Sequence, residues 1–86
     1  MAPPPFADKP VAIMGASTSA LGTARAQYDL RKVFVYLDAR VLNKPEIFIS
    51  GASGRFDETG RLVDASTRAL IAQQLEALRV WAERLR

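Results

Sequence analysis

The stretch that decides the fold is Pro10-Val11-Ala12-Ile13-Met14-Gly15-Ala16, an unbroken apolar run closed by glycine. A strand with one wet face alternates apolar and polar residues, whereas a parallel strand covered on both faces reads as continuous hydrophobics. The run predicts a strand from Val11 to Ala16 that needs neighbours on both sides. Downstream, Gly15 to Gly22 is a loop of small residues, Gly-Ala-Ser-Thr-Ser-Ala-Leu-Gly, and a helix can begin at Thr23 and run to about Ala39. Ala26, Leu30, Val33 and Leu37 fall at steps of four, three and four, which predicts one apolar helix face widened by Phe34, with Arg25, Tyr28, Arg31 and Lys32 off it.

Val41 to Ser50 reads as the second strand, with Ile47-Phe48-Ile49 at its centre and Pro45 at an irregular start, because proline cannot donate to a ladder. Gly51 to Val63 is polar, with turn signals at Ser53-Gly54 and Thr59-Gly60, and is expected to be an exposed loop. Asp64 then caps a last helix whose predicted buried stripe is Ile71, Leu75, Leu78, Ala82 and Leu85, flanked by Leu70 and Trp81. Trp81 reads as a packing residue rather than a ring that stacks on a ligand. Residues 1–9, with Pro3 to Pro5, read as an extended proline-rich linker, and 10–86 as the folded unit.

Strand, helix, strand, helix within this length implies a right-handed parallel crossover, so the class is an open α/β fold. Two strands make a poor sheet, and the far edge of the first would present unpaired backbone beside apolar side chains. The expectation is self-association or pairing with a complementary polypeptide.

Composition removes several function classes. The 86 residues are 49% hydrophobic and 24% charged, the balance of a folding globular chain rather than a disordered one. A domain of this length buries only about 60 to 65% of the surface its unfolded chain exposes, so its stability is marginal unaided. There is no cysteine and no histidine, which excludes a disulfide framework, thiolate chemistry and the common zinc, copper and haem ligand sets. Twelve Lys and Arg against nine Asp and Glu leave +3, spread from Lys9 to Arg86 without a basic stripe, so neither nucleic acid nor a membrane is an expected partner. A cytoplasmic location fits best.

The loop after the first strand holds the main site candidates, since ligands of open α/β sheets sit beyond the carboxyl ends of strands. It carries neither Gly-x-Gly-x-x-Gly nor the Gly-Lys of a P-loop. The run Pro10 to Ser17, followed by Gly22-Thr23-Ala24-Arg25-Ala26-Gln27-Tyr28-x-Leu30-Arg31 and Leu42-Asn43-Lys44-Pro45-Glu46, closely resembles the NADPH-dependent FMN reductases, the chromate and quinone reductases of flavodoxin-like fold.

The resemblance covers about Pro5 to Leu85 and the carboxyl-terminal half of that family, so it implies half of a flavodoxin-like doubly wound parallel sheet. The family's Gly-Ser-x-Arg-x-x-Ser phosphate loop and its Pro-Glu-Tyr-Asn segment have no counterpart in these residues. It further implies FMN and NADPH as cofactors, electron transfer to flavin, quinones or similar acceptors, and a homo-oligomer or a complementary amino-terminal half as partner. Residue by residue, Ala16, Ser17, Thr18 and Gly22 match the loop that lines the isoalloxazine edge. Arg25, Tyr28 and Glu46 match a subunit-contact network near the flavin. From spacing alone, Arg25 and Glu46 would be an exposed ion pair worth about 0 to 1 kcal/mol. No residue of this chain is implied as catalytic, since the flavin performs the reaction, and none as a metal ligand.

Overall fold

In the computed structural model, which describes residues 4–86, the order is β1 (Pro10–Val11), β2 (Met14–Ala16), α1 (Ala24–Tyr36), β3 (Arg40–Val41), β4 (Ile47–Ile49) and α2 (Ala65–Arg84), with a 3-10 turn at Ala52–Gly54. β1 pairs in parallel with β3, and β2 with β4, in the registers Pro10 to Arg40 and Gly15 to Phe48. The strand–helix–strand–helix order of a flavodoxin-like half is therefore present. Each of the two expected strands is nevertheless broken into two short pieces.

The break has a physical cause in Leu42 to Glu46, where Pro45 has no amide to donate to a ladder. Buried carbonyls freed by such an interruption must find other donors. Gln74, 1% exposed, reaches from α2 and donates Nε2 to the carbonyls of Ile13 (2.8 Å) and Pro45 (3.1 Å). From α1, Arg31 donates both Nη atoms to the Leu42 carbonyl at 3.4 Å. The helices thus clamp the gap from opposite faces of the sheet. Ile13, Ile47 and Ile49 are the buried apolar centre.

α1 ends at Tyr36 rather than Ala39, and its buried face is not the expected one. Ala24, Gln27, Arg31 and Phe34 are the covered positions, while Ala26, Leu30 and Val33 are exposed. The helix is rotated so that Gln27 can donate Nε2 to the Ile47 carbonyl at 2.7 Å. Tyr28, one residue on and so about 100° around the helix, lies over β4, where its ring meets Phe48 at 5.7 Å. The Ala26–Leu30–Val33 flank points the opposite way, past β2.

α2 shows the same asymmetry. Asp64 caps it as expected, accepting from the Thr67 amide at 3.0 Å. Leu70, with Thr67, faces β4, and Ala77 and Trp81 face Leu42, so Ile71, Leu75 and Leu78 occupy the flank over β1 and β2. Leu75, expected in the buried stripe, is 54% exposed because it is the outermost of these. Trp81 packs as expected and donates Nε1 to the Arg40 carbonyl at 2.8 Å.

Residues 1–3 of the proline-rich segment lie outside the described residues. Beyond them the chain turns and is tied down by Asp8 N–H to the Asp38 carbonyl (2.8 Å), an Asp8–Arg40 ion pair (2.9 Å) and a Phe6–Phe34 ring contact (5.9 Å). Among the described residues no helix is long and apolar enough to cross a membrane.

Candidate functional site

The carboxyl ends of β2 and β4 lie side by side, and the loops leaving them hold each other. Ser17 donates its amide to the Ile49 carbonyl (2.9 Å), and Ala52 and Gly51 donate back to the carbonyls of Ser17 (3.0 Å) and Ser19 (3.3 Å). Two glycines permit this. Gly22 has φ +62°, and a Cβ on it would stand 3.1 Å from the Phe48 carbonyl carbon, so the loop closes directly onto β4. A Cβ on Gly15 would fall 2.4 Å from Thr23 Oγ1, so only glycine lets the start of α1 press against the end of β2.

The product is an open cleft of about 560 Å³ lined by Ala16, Ser17, Ser19, Leu21, Gly22 and Thr23, with Arg25 and Ala26 on the helix above. Three of the four expected loop residues, Ala16, Ser17 and Gly22, line it. Thr18 sits on the exposed outer turn of the same loop. The amides of Thr18 and Ala20 are donated to no acceptor among the described residues, which leaves two free backbone donors in the loop. Small side chains and free amides suit one edge of a planar, carbonyl-bearing ring. The described residues therefore fit a flavin along one wall.

A second cluster lies on α1's other flank. Tyr28 Oη donates to Glu46 Oε2 at 2.6 Å, and Lys44 Nζ pairs with Glu46 Oε1 at 3.0 Å. Asn43 and Arg31 complete the group. The Tyr28 hydrogen bond, then Lys44, holds the Glu46 carboxyl below the usual range, and the same bond pushes the Tyr28 phenol up. Tyr28 and Glu46 are thus brought together, whereas Arg25 stands apart at the cleft and makes no hydrogen bond or ion pair among the described residues. Three positions apart on a helix share a general face, but a difference of about 60° separates them here.

Sequence reasoning missed the buried glutamines, Gln27 and Gln74, and the anchoring role of Arg55. Arg55 Nε donates to the Ser50 carbonyl (2.7 Å), and its Nη1 reaches Asp64 Oδ2 (3.0 Å) and Thr67 Oγ1 (2.9 Å). Thr67, Ser66 and then Arg55 pull the Asp64 pKa down to about 2. The one available signal for Gln27 was its place inside the helix pattern at a step of four from Thr23. Among the described residues no cluster of acidic side chains could hold a metal ion.

Comparison with known proteins agrees with this geometry. The chain is 57% identical over 82 residues to an NAD(P)H-dependent FMN reductase of Pseudomonas aeruginosa, an alignment that covers 95% of this chain and 44% of that protein. It is 39% identical over 83 residues to a quinone reductase of Escherichia coli, covering 95% and 44%. A probable NADPH:quinone oxidoreductase of Oryza sativa is 42% identical over 82 residues, covering 93% and 41%. The chain spans less than half the length of these relatives. The family model described as NADPH-dependent FMN reductase matches residues 1–54, a stretch that contains the cleft loop, the Tyr28–Glu46 cluster and both strand pairs. On that match the chain belongs to the NADPH-dependent FMN reductase family.

Proposed function

We propose that this chain supplies the carboxyl-terminal half of an NAD(P)H-dependent FMN reductase, with FMN held along the 16–22 loop and electrons from NAD(P)H passed to free flavin, a quinone or a similar acceptor. The observation that carries the reading is the position of the cleft. It lies at the carboxyl end of β2, at the corner where that strand's outer edge is unpaired among the described residues. Ala16, Ser17 and Gly22 would bear on the ring edge, and the free amides of Thr18 and Ala20 would donate to its acceptors. The flavin, when bound, supplies hydride chemistry, while the chain binds and orients it.

The opposite wall of the cleft would come from a second polypeptide. Met14 on β2, Leu30 and Val33 on α1 and Leu75 on α2 are between 40 and 54% exposed. The partner would cover these four. A complementary amino-terminal half is the partner this arrangement favours, and Arg25, beside the cleft and free of internal pairing among the described residues, would contact it.

The test is a fluorescence titration of FMN with this chain alone and with the chain mixed with the part of the Pseudomonas aeruginosa relative that it does not cover. Saturable quenching in the mixture, with bleaching of the bound flavin by NADPH under anaerobic conditions, is the expected result. Absence of quenching in both arms would overturn the reading. Quenching by the chain alone, at a stoichiometry of one flavin to two chains, would replace the complementary half with a second copy.

A further inference from the structure

The start of α1 departs from ordinary capping in a way that bears on the cleft. Thr23 is the residue before the first helical turn, where a threonine oxygen normally accepts from an amide two or three residues on. No such bond is made. Instead, Thr23 Oγ1 lies 2.6 Å from Gln27 Nε2.

The direction of that bond is fixed by a third group. Gln27 is 3% exposed, and the same terminal atom lies 2.7 Å from the Ile47 carbonyl oxygen. A carbonyl can only accept, so the atom facing it must be the amide nitrogen rather than the amide oxygen. Gln27 Oε1 then points into a solvent-free space without a partner. With nitrogen facing both Ile47 and Thr23, Thr23 Oγ1 is the acceptor of that bond. Its own hydroxyl proton must therefore point away from Gln27, and no acceptor takes it among the described residues. Thr23 Oγ1 packs against Gly15, and Thr23 is one of the residues that line the cleft beside Ala16, Ser17 and Gly22, so the cleft is a direction left to that proton.

We propose that Gln27 is a positioning residue that turns the Thr23 hydroxyl into a fixed hydrogen-bond donor for a carbonyl oxygen of the ligand's ring. The proposal rests on the flavin reading above and assigns Thr23 as an additional binding residue. The gain is preorganisation: the Gln27 amide occupies one of the two lone pairs of the Thr23 hydroxyl, which restricts the directions left to its proton. The cost is an uncapped first turn and one orphaned amide oxygen, each of the order of a lost hydrogen bond.

The test uses the chain mixed with the uncovered part of the Pseudomonas aeruginosa relative, and lumiflavin carbon-13-labelled at its ring carbonyls as the probe. Thr23→Val, close in volume but without a hydroxyl, should weaken lumiflavin binding by roughly tenfold, the size of one net hydrogen bond. The labelled carbonyl resonance should move toward its position in an aprotic solvent. Thr23→Ser should restore both. Gln27→Glu should mimic Thr23→Val, because a carboxylate accepts the Thr23 proton and reverses the bond. Equal affinity and an unmoved resonance in Thr23→Val would overturn the proposal while leaving the flavin reading in place. In the wild-type chain alone, the Gln27 side-chain amide protons should exchange slowly with solvent. Free exchange there would overturn the positioning role whatever binds in the cleft. Failure of the wild-type mixture to bind any flavin would overturn the flavin reading, and the ligand assigned here with it.

Discussion

The two edges of the sheet are built from different chemistry. Along β3 and β4 the flank carries a polar cluster beside the exposed Val35: Tyr28 and Lys44 both bond Glu46, Arg31 covers Leu42, and Arg55 ties Ser50 to the start of α2. Along β1 and β2 the flank shows Met14 with Leu30 and Val33 from one helix and Leu75 from the other. A polar edge whose side chains satisfy each other gains little by being covered. An apolar edge with unpaired backbone is a pairing template, and its burial is worth about 25 cal/mol per Å² of apolar surface. The proposed function assigns the apolar side, on which the cleft lies, to a second polypeptide.

The comparison can be broken most severely by placing charge on the apolar flank. Leu30→Glu combined with Val33→Glu should abolish association with a partner or a second copy, a loss of at least 100-fold, while helix content by circular dichroism stays unchanged. Sedimentation at micromolar concentration reads the first effect. A charge reversal on the solvent face of α1, Asp29→Lys with Lys32→Asp, should leave the assembled mass as it is.

The clamp between the two edges gives the next effect. Gln74→Leu removes the donor to the carbonyls of Ile13 and Pro45 and leaves them buried without a partner. A loss of about 2 kcal/mol is expected, read as a lower urea midpoint with little change in slope. Gln74→Glu should be no better, since a carboxylate cannot donate to a carbonyl.

Acid should act through Asp64. Its pKa is about 2 in the folded chain against an ordinary value of 3.8, so the unfolded chain takes up the proton first as pH falls. The stability it contributes is fully present above about pH 4 and is lost between there and pH 2. Asp64→Asn should lower the urea midpoint at pH 7 and flatten its decline over that window.

The smallest effect is at the Tyr28–Glu46 pair. The Glu46 hydrogen bond raises the phenol pKa, so Glu46→Gln should bring tyrosinate formation to lower pH in an ultraviolet titration. Two tyrosines share the signal, and Tyr36→Phe isolates Tyr28.

Much of this fold could be read from apolar patterning, and the pattern failed where polar groups took over. The runs at Val11 to Ala16 and Ile47 to Ile49, the capping Asp64 and the small-residue loop are local signals, and they located both strands, the last helix and the cleft. The orientation of α1 was not local. A periodic stripe at Ala26, Leu30 and Val33 reads as the buried face of any amphipathic helix, yet it is exposed here, while Gln27 and Arg31 turn inward to serve carbonyls of a ladder broken at Pro45. Sequence spacing cannot tell which of two apolar-facing neighbours, the chain's own sheet or another polypeptide, a stripe is for. The site was legible to the same degree. The strand-end rule pointed to the loop after β2 and the family resemblance to Ala16, Ser17, Thr18 and Gly22 within it, whereas Thr23 depends on which atom of a buried amide faces a backbone carbonyl twenty residues away.

The most direct measurement of the account is amide hydrogen exchange on the two strand edges, with and without the uncovered part of the Pseudomonas aeruginosa relative. By strand alternation, Met14 and Ala16 direct their amides away from β4, and Phe48 directs its amide away from β2. Slowed exchange at Met14 and Ala16 on mixing, with Phe48 unchanged, is the predicted result. Unchanged exchange at Met14 and Ala16, or new protection at Phe48 alone, would contradict the claim that the apolar edge is where this chain is completed.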